Sequence, residues 1–232
     1  MRRDDPEAAE LLEPPPLPAK PELVIDALAP LISRERLARI DAVVAQRLRC
    51  VVAVLEAVDD PRNVAAVLRS ADAFGIQEVH LIERDQPFLA SRRVTQGAER
   101  WLDLIRHPTP AACVGSLHAR GFQVYVATMH GELTPEHLRP VGKLALVFGN
   151  EHDGASRELV QACDGRCAIA MRGFSQSLNV SVAAAVALHA VTSDRQGDLA
   201  PHQRAELRAR FMLLSVERGE QVVAEHLARR DR

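Results

Sequence analysis

The chain has 232 residues, 47% of them hydrophobic and 26% charged, with 29 Lys+Arg against 31 Asp+Glu and a formal net charge of −2. A generally basic nucleic-acid-coating protein is excluded by that balance, so any nucleic-acid contact must come from a local patch. The length suits one globular domain with small additions, and no apolar run approaches the roughly 18 residues a membrane span needs.

Residues 1–22 hold six acidic residues and the run Pro14-Pro15-Pro16. Such a stretch buries too little apolar surface to order itself, which predicts a disordered tail. Residues 23–49 form an arginine-rich helical arm. Leu37, Ile40, Val44 and Leu48 share a helical face there, while Arg34, Arg36, Arg39, Arg47 and Arg49 crowd the same segment. The competing reading is a solvated helix face. Only Lys20 and Lys143 are lysine, and every other basic residue is arginine. Arginine suits forked contacts to phosphate, although codon bias in a GC-rich genome accounts for the excess equally well.

From residue 50 to about 196, strands and helices alternate. Strands are predicted at Val51–Val58, Val79–Ile82, Trp101–Ile105, Gln123–Thr128, Leu144–Phe148 and Ala168–Met171. Helices are predicted at Asn63–Phe74, ended by Gly75, and at Pro110–Arg120, ended by Gly121. Two more follow, one capped by Ser156 and running to about Ala162, the other at Leu178–Val191. This alternation, with continuous apolar strands, predicts an α/β fold: a parallel sheet covered by helices on both faces. Residues 197–232 form a C-terminal helical extension with one amphipathic pattern over 201–229.

Cys50, Cys113, Cys163 and Cys167 form no C-x-x-C pair and lie in or beside apolar segments. They read as buried thiols, and no metal site is expected. With no secretory apolar core at the N-terminus, a reducing cytoplasm fits.

Three polar clusters fall at predicted strand ends, where an open parallel sheet binds ligands. They are Asp59-Asp60-Pro61-Arg62-Asn63-Val64, Phe148-Gly149-Asn150-Glu151-His152-Asp153-Gly154, and Met171-Arg172-Gly173-Phe174-Ser175-Gln176-Ser177-Leu178-Asn179. The third opens a helix whose first turn carries unpaired N–H groups and partial positive charge, so Ser177 and Asn179 sit where a polar ligand can be held. Gly149 and Gly173 permit close backbone approach. Neither G-x-G-x-x-G nor G-x-x-x-x-G-K-[ST] is present, which argues against dinucleotide and P-loop sites. His152 and Asp153 lack a G-x-S-x-G partner, and the histidines lack zincin spacing.

In this order and spacing, D-P-R-N-V-A-A-V-L-R-S-A-D-A-F-G (residues 60–75), L-V-F-G-N-E-H-D-G-A-S (146–156) and I-A-M-R-G-F-S-Q-S-L-N-V-S-V-A-A-A (169–185) resemble the three motifs of the SPOUT superfamily. The likeness is greatest to its SpoU–TrmH branch of RNA ribose 2′-O-methyltransferases, among them the tRNA guanosine enzymes acting on the D-loop. The resemblance implies a deep C-terminal trefoil knot, S-adenosyl-L-methionine as cofactor, RNA as partner, no membrane, and a homodimer whose site is completed across the interface. It further implies a catalytic set of Asn63, Arg69, Glu151, Ser177 and Asn179. The cofactor would be cradled around Phe148, Gly149, Asn150, Ile169, Met171, Ser177 and Leu178. By adjacency to the motifs, Arg62, Arg172 and Arg195 are candidate RNA contacts, joined by Arg36 and Arg39 of the arm. Three stretches depart from the tRNA-type pattern: Asp59-Asp60-Pro61-Arg62-Asn63 stands for H-K-P-H-N, Gly173-Phe174-Ser175-Gln176-Ser177-Leu178-Asn179 for G-M-V-Q-S-L-N, and Thr192-Ser193-Asp194-Arg195 for Q-R-Q-R. These bear on the RNA chosen, so the same chemistry on 23S rRNA and a non-catalytic knotted RNA-binding protein stand as alternatives.

Overall fold

Caps and apolar runs set where each element begins and stops. The computed structural model describes residues 16–82 and 97–230, so the first fifteen residues of the expected tail lie outside it. Helix α1 (Pro21–Leu28) starts on a proline, whose missing N–H costs nothing in a first turn. Helix α2 (Arg34–Ala45) is capped by Ser33, whose hydroxyl accepts the Arg36 N–H at 3.2 Å. Next come β1 (Leu48–Glu56), α3 (Pro61–Ala73), β2 (Ile76–Ile82), β3 (Asp103–His107), α4 (Pro110–Ala119), β4 (Gln123–Ala127), β5 (Leu144–Phe148), α5 (Arg157–Ala162), β6 (Gly165–Cys167), α6 (Val180–Thr192), α7 (Pro201–Leu213) and α8 (Gly219–Arg230). Gly75 and Gly121 end their helices with φ of 80° and 81°, a left-handed conformation that glycine adopts without penalty.

The six strands take the order β3-β2-β1-β5-β4-β6. The β2–β3, β1–β5, β5–β4 and β4–β6 pairs are parallel, and β1 and β5 run in register from Val51↔Leu144 to Leu55↔Phe148. Alternate residues of a strand face opposite sides, and both sides are covered. Val51, Ala53, Leu55, Leu144, Leu146 and Phe148 pack with Val64, Val67 and Leu68 of α3 and Ala184, Ala187 and Leu188 of α6. On the other side, Val52, Val54, Ala145 and Val147 pack with Cys113, Val114 and Leu117 of α4 and Leu159 of α5. Double coverage is why β1 and β5 read as unbroken apolar runs.

Compactness divides the described residues into two units: 49–82 with 97–195, and 16–48 with 196–230. The second unit joins the arm and the C-terminal extension, expected as separate segments, into one small bundle. In it α1 packs on α7 and α8, and α2 packs on α7. Its core includes Val24, Leu28, Ile40, Val44, Leu207, Phe211, Met212 and Val223, with the buried Arg47 guanidinium 5.6 Å from the centre of the Phe211 ring. Arg208 Nε donates to Asp41 at 2.6 Å.

Two expected elements differ. The strand expected at Ala168–Met171 falls earlier, as β6, because pairing with β4 ends once the Thr128 N–H reaches Cys167 O (2.9 Å) and the Ala168 N–H reaches Leu133 O (2.8 Å). The 201–229 pattern is two helices. The Ser215 hydroxyl donates to Phe211 O at 2.7 Å and Arg218 takes φ 55°, which breaks the helix between α7 and α8. The helical arm comprises two helices, α1 and α2.

Beneath α4, β2 and β3 enclose a polar cluster that spacing alone did not reveal. His80, His107 and Cys113 offer ligand-type atoms within 4.8 Å of one another, all buried. His80 Nδ1 and His107 Nε2 are 2.8 Å apart, and Glu78 Oε2 lies 3.7 Å from His80 Nε2. A proton on the nitrogen facing Glu78 leaves His80 Nδ1 an acceptor, so His107 Nε2–H is the donor. Burial alone would raise the Glu78 carboxyl, but hydrogen bonds from His80 and Arg120 and the charges of Arg120 and Arg49 hold it down to about 2. Burial, with the charges of His80 and Arg120, pushes His107 down to about 4.

Both groups have folded values below their unfolded ones, so both bind protons more readily when unfolded and lose stability as pH falls. The expected urea midpoint falls between pH 6.5 and about 4 as His107 is forced to charge. It falls again between pH 4.5 and about 2 as Glu78 is protonated. A urea titration series shows whether His107→Gln flattens only the upper window.

Candidate active site

The chain moves outward from β1 to β2 and β3 on one side, and β5, β4 and β6 fill the other. The boundary between β1 and β5 is therefore the topological switch point, and their carboxyl ends open a crevice. Glu56 is wholly buried at the end of β1, where its carboxylate accepts the Ser156 N–H at 2.7 Å. The next residue, Ala57, takes φ 49°, a sterically disfavoured conformation for alanine. That turn is held from both sides: its N–H donates to Ile82 O at 3.0 Å, and its carbonyl accepts Asn150 Nδ2 at 2.8 Å.

Asn150, 9% exposed, ties the loop together. Its Nδ2 also reaches Asp59 Oδ2 at 2.9 Å, while its Oδ1 accepts the N–H groups of His152 (2.8 Å) and Asp153 (3.3 Å). Its backbone exchanges two 3.0 Å bonds with Gly154. Gly149 is required here, because a Cβ at that position would lie 2.1 Å from Ala155 N. The close approach is thus to the chain's own 154–155 backbone. Gly173 has nothing within 4 Å of its would-be Cβ, and so shows no such constraint.

One hydrogen-bonded line then connects the three clusters. Glu151 Oε1 accepts from Asn63 Nδ2 at 2.7 Å, and Asn63 Oδ1 accepts from Asn179 Nδ2 at 3.1 Å. Asn179 Oδ1 accepts the Ser181 N–H at 2.9 Å, which caps α6, and the Ser181 hydroxyl at 2.6 Å. The polarity of this line is determined at both ends. A carboxylate only accepts and a backbone N–H only donates, so both amides between them have one allowed orientation. The second Glu151 oxygen accepts the Asp59 N–H at 3.3 Å.

The other expected residues fall into distinct places. Arg69 is exposed on α3 and, among the described residues, makes no hydrogen bond to this line. It lines a cavity of about 610 Å³ with Ala66, Ser70, Asp72, Phe74 and Trp101. Ser177 and Met171 are exposed, whereas Ile169 and Leu178 are half-buried. The Phe148 side chain belongs to the core, leaving only its backbone for a ligand. Arg62 (side chain 85% exposed) contacts Asp60 at 3.3 Å, and Arg172 is exposed. Arg36 and Arg39 are exposed on α2, with Arg36 Nη2 also 3.3 Å from Ser215 Oγ. Arg195 corrects its expected RNA role. All five guanidinium donors are spent inside the fold, on Val191 O, Cys50 Sγ, Gly142 O, Arg139 O and Val141 O.

Residues 169–178 are irregular, and among the described residues their backbone groups make no hydrogen bond. A ten-residue run of unpaired donors and acceptors flanked by half-buried Ile169 and Leu178 suits an elongated ligand with polar ends. Nearby, Met129, His130, Gly131, Glu132, Gly165 and Arg166 line a cavity of about 630 Å³. Sequence reading missed this wall, which had only the Thr128-Met129-His130-Gly131 run after β4 to mark it. It also missed the structural parts of Asn150, Asp59 and Ser181.

The SpoU rRNA Methylase family profile matches residues 50–189. The tRNA (guanosine(18)-2′-O)-methyltransferase of Borreliella burgdorferi is 30% identical over 168 residues, 72% of this chain and 77% of that protein. The crystal structure of the A. aeolicus TrmH/SpoU tRNA modifying enzyme superposes with a TM-score of 0.71 at 24% identity, covering 79% of this chain and 98% of that one. That of the SpoU methyltransferase AviRb from Streptomyces viridochromogenes, in complex with AdoMet, gives 0.58 at 24% identity over 65% and 58%.

Asn63→Asp sets an acceptor-only group against Glu151, and the expected loss in urea unfolding is about 1–3 kcal/mol. Adding Glu151→Gln restores a donor to the pair, so the double variant is expected to recover most of that loss.

Proposed function

The chain belongs to the SpoU rRNA methylase family, and from that premise we propose that it transfers a methyl group from S-adenosyl-L-methionine to a ribose 2′-hydroxyl of RNA, favouring a guanosine in the tRNA D-loop. The observation that carries this reading is the line Glu151–Asn63–Asn179, which brings all three sequence clusters to one crevice. The preference for tRNA follows the named relative. The family's description names rRNA, which supports the same chemistry on rRNA as the second reading.

The cofactor's sulfonium supplies an already activated methyl group, so the protein has mainly to align the nucleophile. The unpaired backbone of 169–178, with Ile169, Met171, Ser177 and Leu178, and the loop of Phe148, Gly149 and Asn150 would hold it. Asn63, Asn179 and Glu151 would fix the ribose by hydrogen bonds whose direction is already set. Arg69 would meet the RNA phosphate and stabilise the developing 2′-alkoxide. The role is electrostatic stabilisation and not that of a base. Arg62 and Arg172 beside the crevice, and Arg36 and Arg39 on α2, would contact the RNA backbone.

Three further features belong to the same reading. The 128–133 loop grips residues 167–168 from both sides, through Thr128 N–H to Cys167 O and Ala168 N–H to Leu133 O, and a Cβ on Gly131 would lie 2.5 Å from Cys167 C. That enclosure supports a trefoil knot. Helix α6 exposes Val182 (47%) and Val186 (43%) one turn apart, which supports a homodimer built on this helix. No described helix is long and apolar enough to cross a membrane, and the working place proposed is the cytoplasm, where tRNA is processed.

Incubating unmodified tRNA transcripts with labelled S-adenosylmethionine and analysing the nucleosides tests the reaction. The expected product is 2′-O-methylguanosine. Arg69→Ala is expected to lower transfer at least about 100-fold while leaving cofactor affinity nearly intact, and equal loss of both would overturn its role. Absence of product on tRNA with product on rRNA selects the second reading. For the dimer, Val182→Asp with Val186→Asp is expected to shift the sedimentation mass from two chains to one.

A further inference from the structure

Resting on the ribose methylation reading, we propose that the cavity beside Arg69 is a guanine pocket in which the Asp72 carboxylate reads the base and Trp101 stacks on it.

On α3, Ala66, Ser70 and Ala73 recur at helical spacing and, with Arg69 and Asp72, turn one side of the helix toward the cavity. The opposite side, with Val64, Val67, Leu68 and Ala71, is buried in the core. Ala66, the first residue of α3 to line the cavity, is three positions from Asn63, so the cavity begins about 4.5 Å along the axis from the hydrogen-bonded line. At about 610 Å³ the cavity is an open cleft with room for a nucleobase. Its walls supply what a nucleobase needs: the rings of Phe74 and Trp101, the Ser70 hydroxyl, and the Asp72 carboxylate. Trp101 is anchored by its carbonyl, which accepts Gln77 Nε2 at 3.1 Å, and the Arg100 guanidinium lies 5.9 Å from its ring centre.

The choice of base follows from donor geometry. An unstacked base is read on its Watson–Crick edge while an aromatic ring covers its face. A carboxylate only accepts. Guanine alone among the four bases presents two adjacent donors on that edge, N1–H and the N2 amino group. Adenine and cytosine each pair a donor with an acceptor, and uracil sets one donor between two acceptors. Asp72 already takes part in an interaction within the fold, and a carboxylate has about four acceptor positions, which leaves it capacity for the base. Because Arg69 lines the same cavity, the phosphate and base of one nucleotide are held by neighbouring residues of one helix.

Two measurements test this. In the first, methyl transfer is compared on transcripts carrying guanosine, inosine or adenosine at the modified position. The wild-type protein is expected to favour guanosine over inosine, which lacks the N2 amino group, by about 10- to 100-fold in kcat/KM. Asp72→Asn should lose most of the rate on guanosine but little of it on inosine, so that discrimination collapses. Equal rates of wild type on guanosine and inosine, or unchanged discrimination in the variant, would overturn the proposal. The second uses Trp101, the single tryptophan of the chain, and needs no catalysis. Guanosine 5′-monophosphate is expected to quench its fluorescence more strongly than inosine or adenosine monophosphate, and Asp72→Asn should abolish that order. Selective quenching without methyl transfer to any RNA would leave the pocket standing and remove the enzymatic reading. Methyl transfer without Asp72-dependent selectivity would do the reverse.

Discussion

The crevice depends on one side-chain amide. Asn63 stands between an acceptor-only carboxylate and a second amide already oriented by a backbone N–H. Hydrogen bonds to charged groups are worth roughly 1.5–3 kcal/mol, and leaving a buried partner unmatched costs a similar amount. The Asn63 segment is therefore tied to both of the other loops. Because the amide cannot turn over without losing both partners, the crevice is organised in advance of any ligand, which is the condition under which polar groups stabilise a transition state most effectively.

That amide sits where it does because of strand order. Parallel pairing of β1 with β5 brings the residues after Glu56 and after Phe148 to the same edge of the sheet. The apolar face of α3 then meets α6, so the N-termini of both helices meet at the crevice. Packing and chemistry are joined in single residues. Asn179 caps α6 and also holds Asn63, while Asn150 closes its own loop and also supports the disfavoured turn at Ala57.

Much of this was legible before any coordinates. The continuous apolar runs of β1 and β5 announce a doubly covered sheet, and the polar clusters at their ends announce the crevice. The three-motif resemblance points to Asn63, Glu151 and Asn179, which do converge. Other features were hidden for physical reasons. The strand expected at Ala168–Met171 has the right residues, but the backbone is captured by Leu133 and leaves the sheet before reaching them. Nothing in sequence distinguishes an arginine that faces solvent from one that folds back, so Arg195 read as an RNA contact although five carbonyl and thiol groups consume it. The pairing of His80 with His107 joins residues 27 apart on adjacent strands, a distance that motif spacing does not see.

The central position of β1 carries a consequence for synthesis on the ribosome. Its neighbour β2 follows within a few tens of residues, but β5 is completed roughly ninety residues after β1. At about 5–20 residues per second, one edge of this central strand stays unpaired for roughly 5–20 seconds on each nascent chain. An open edge of that kind templates pairing with other chains. The arrangement that gathers the crevice from distant segments thus leaves the emerging polypeptide dependent on whatever shields strand edges during translation.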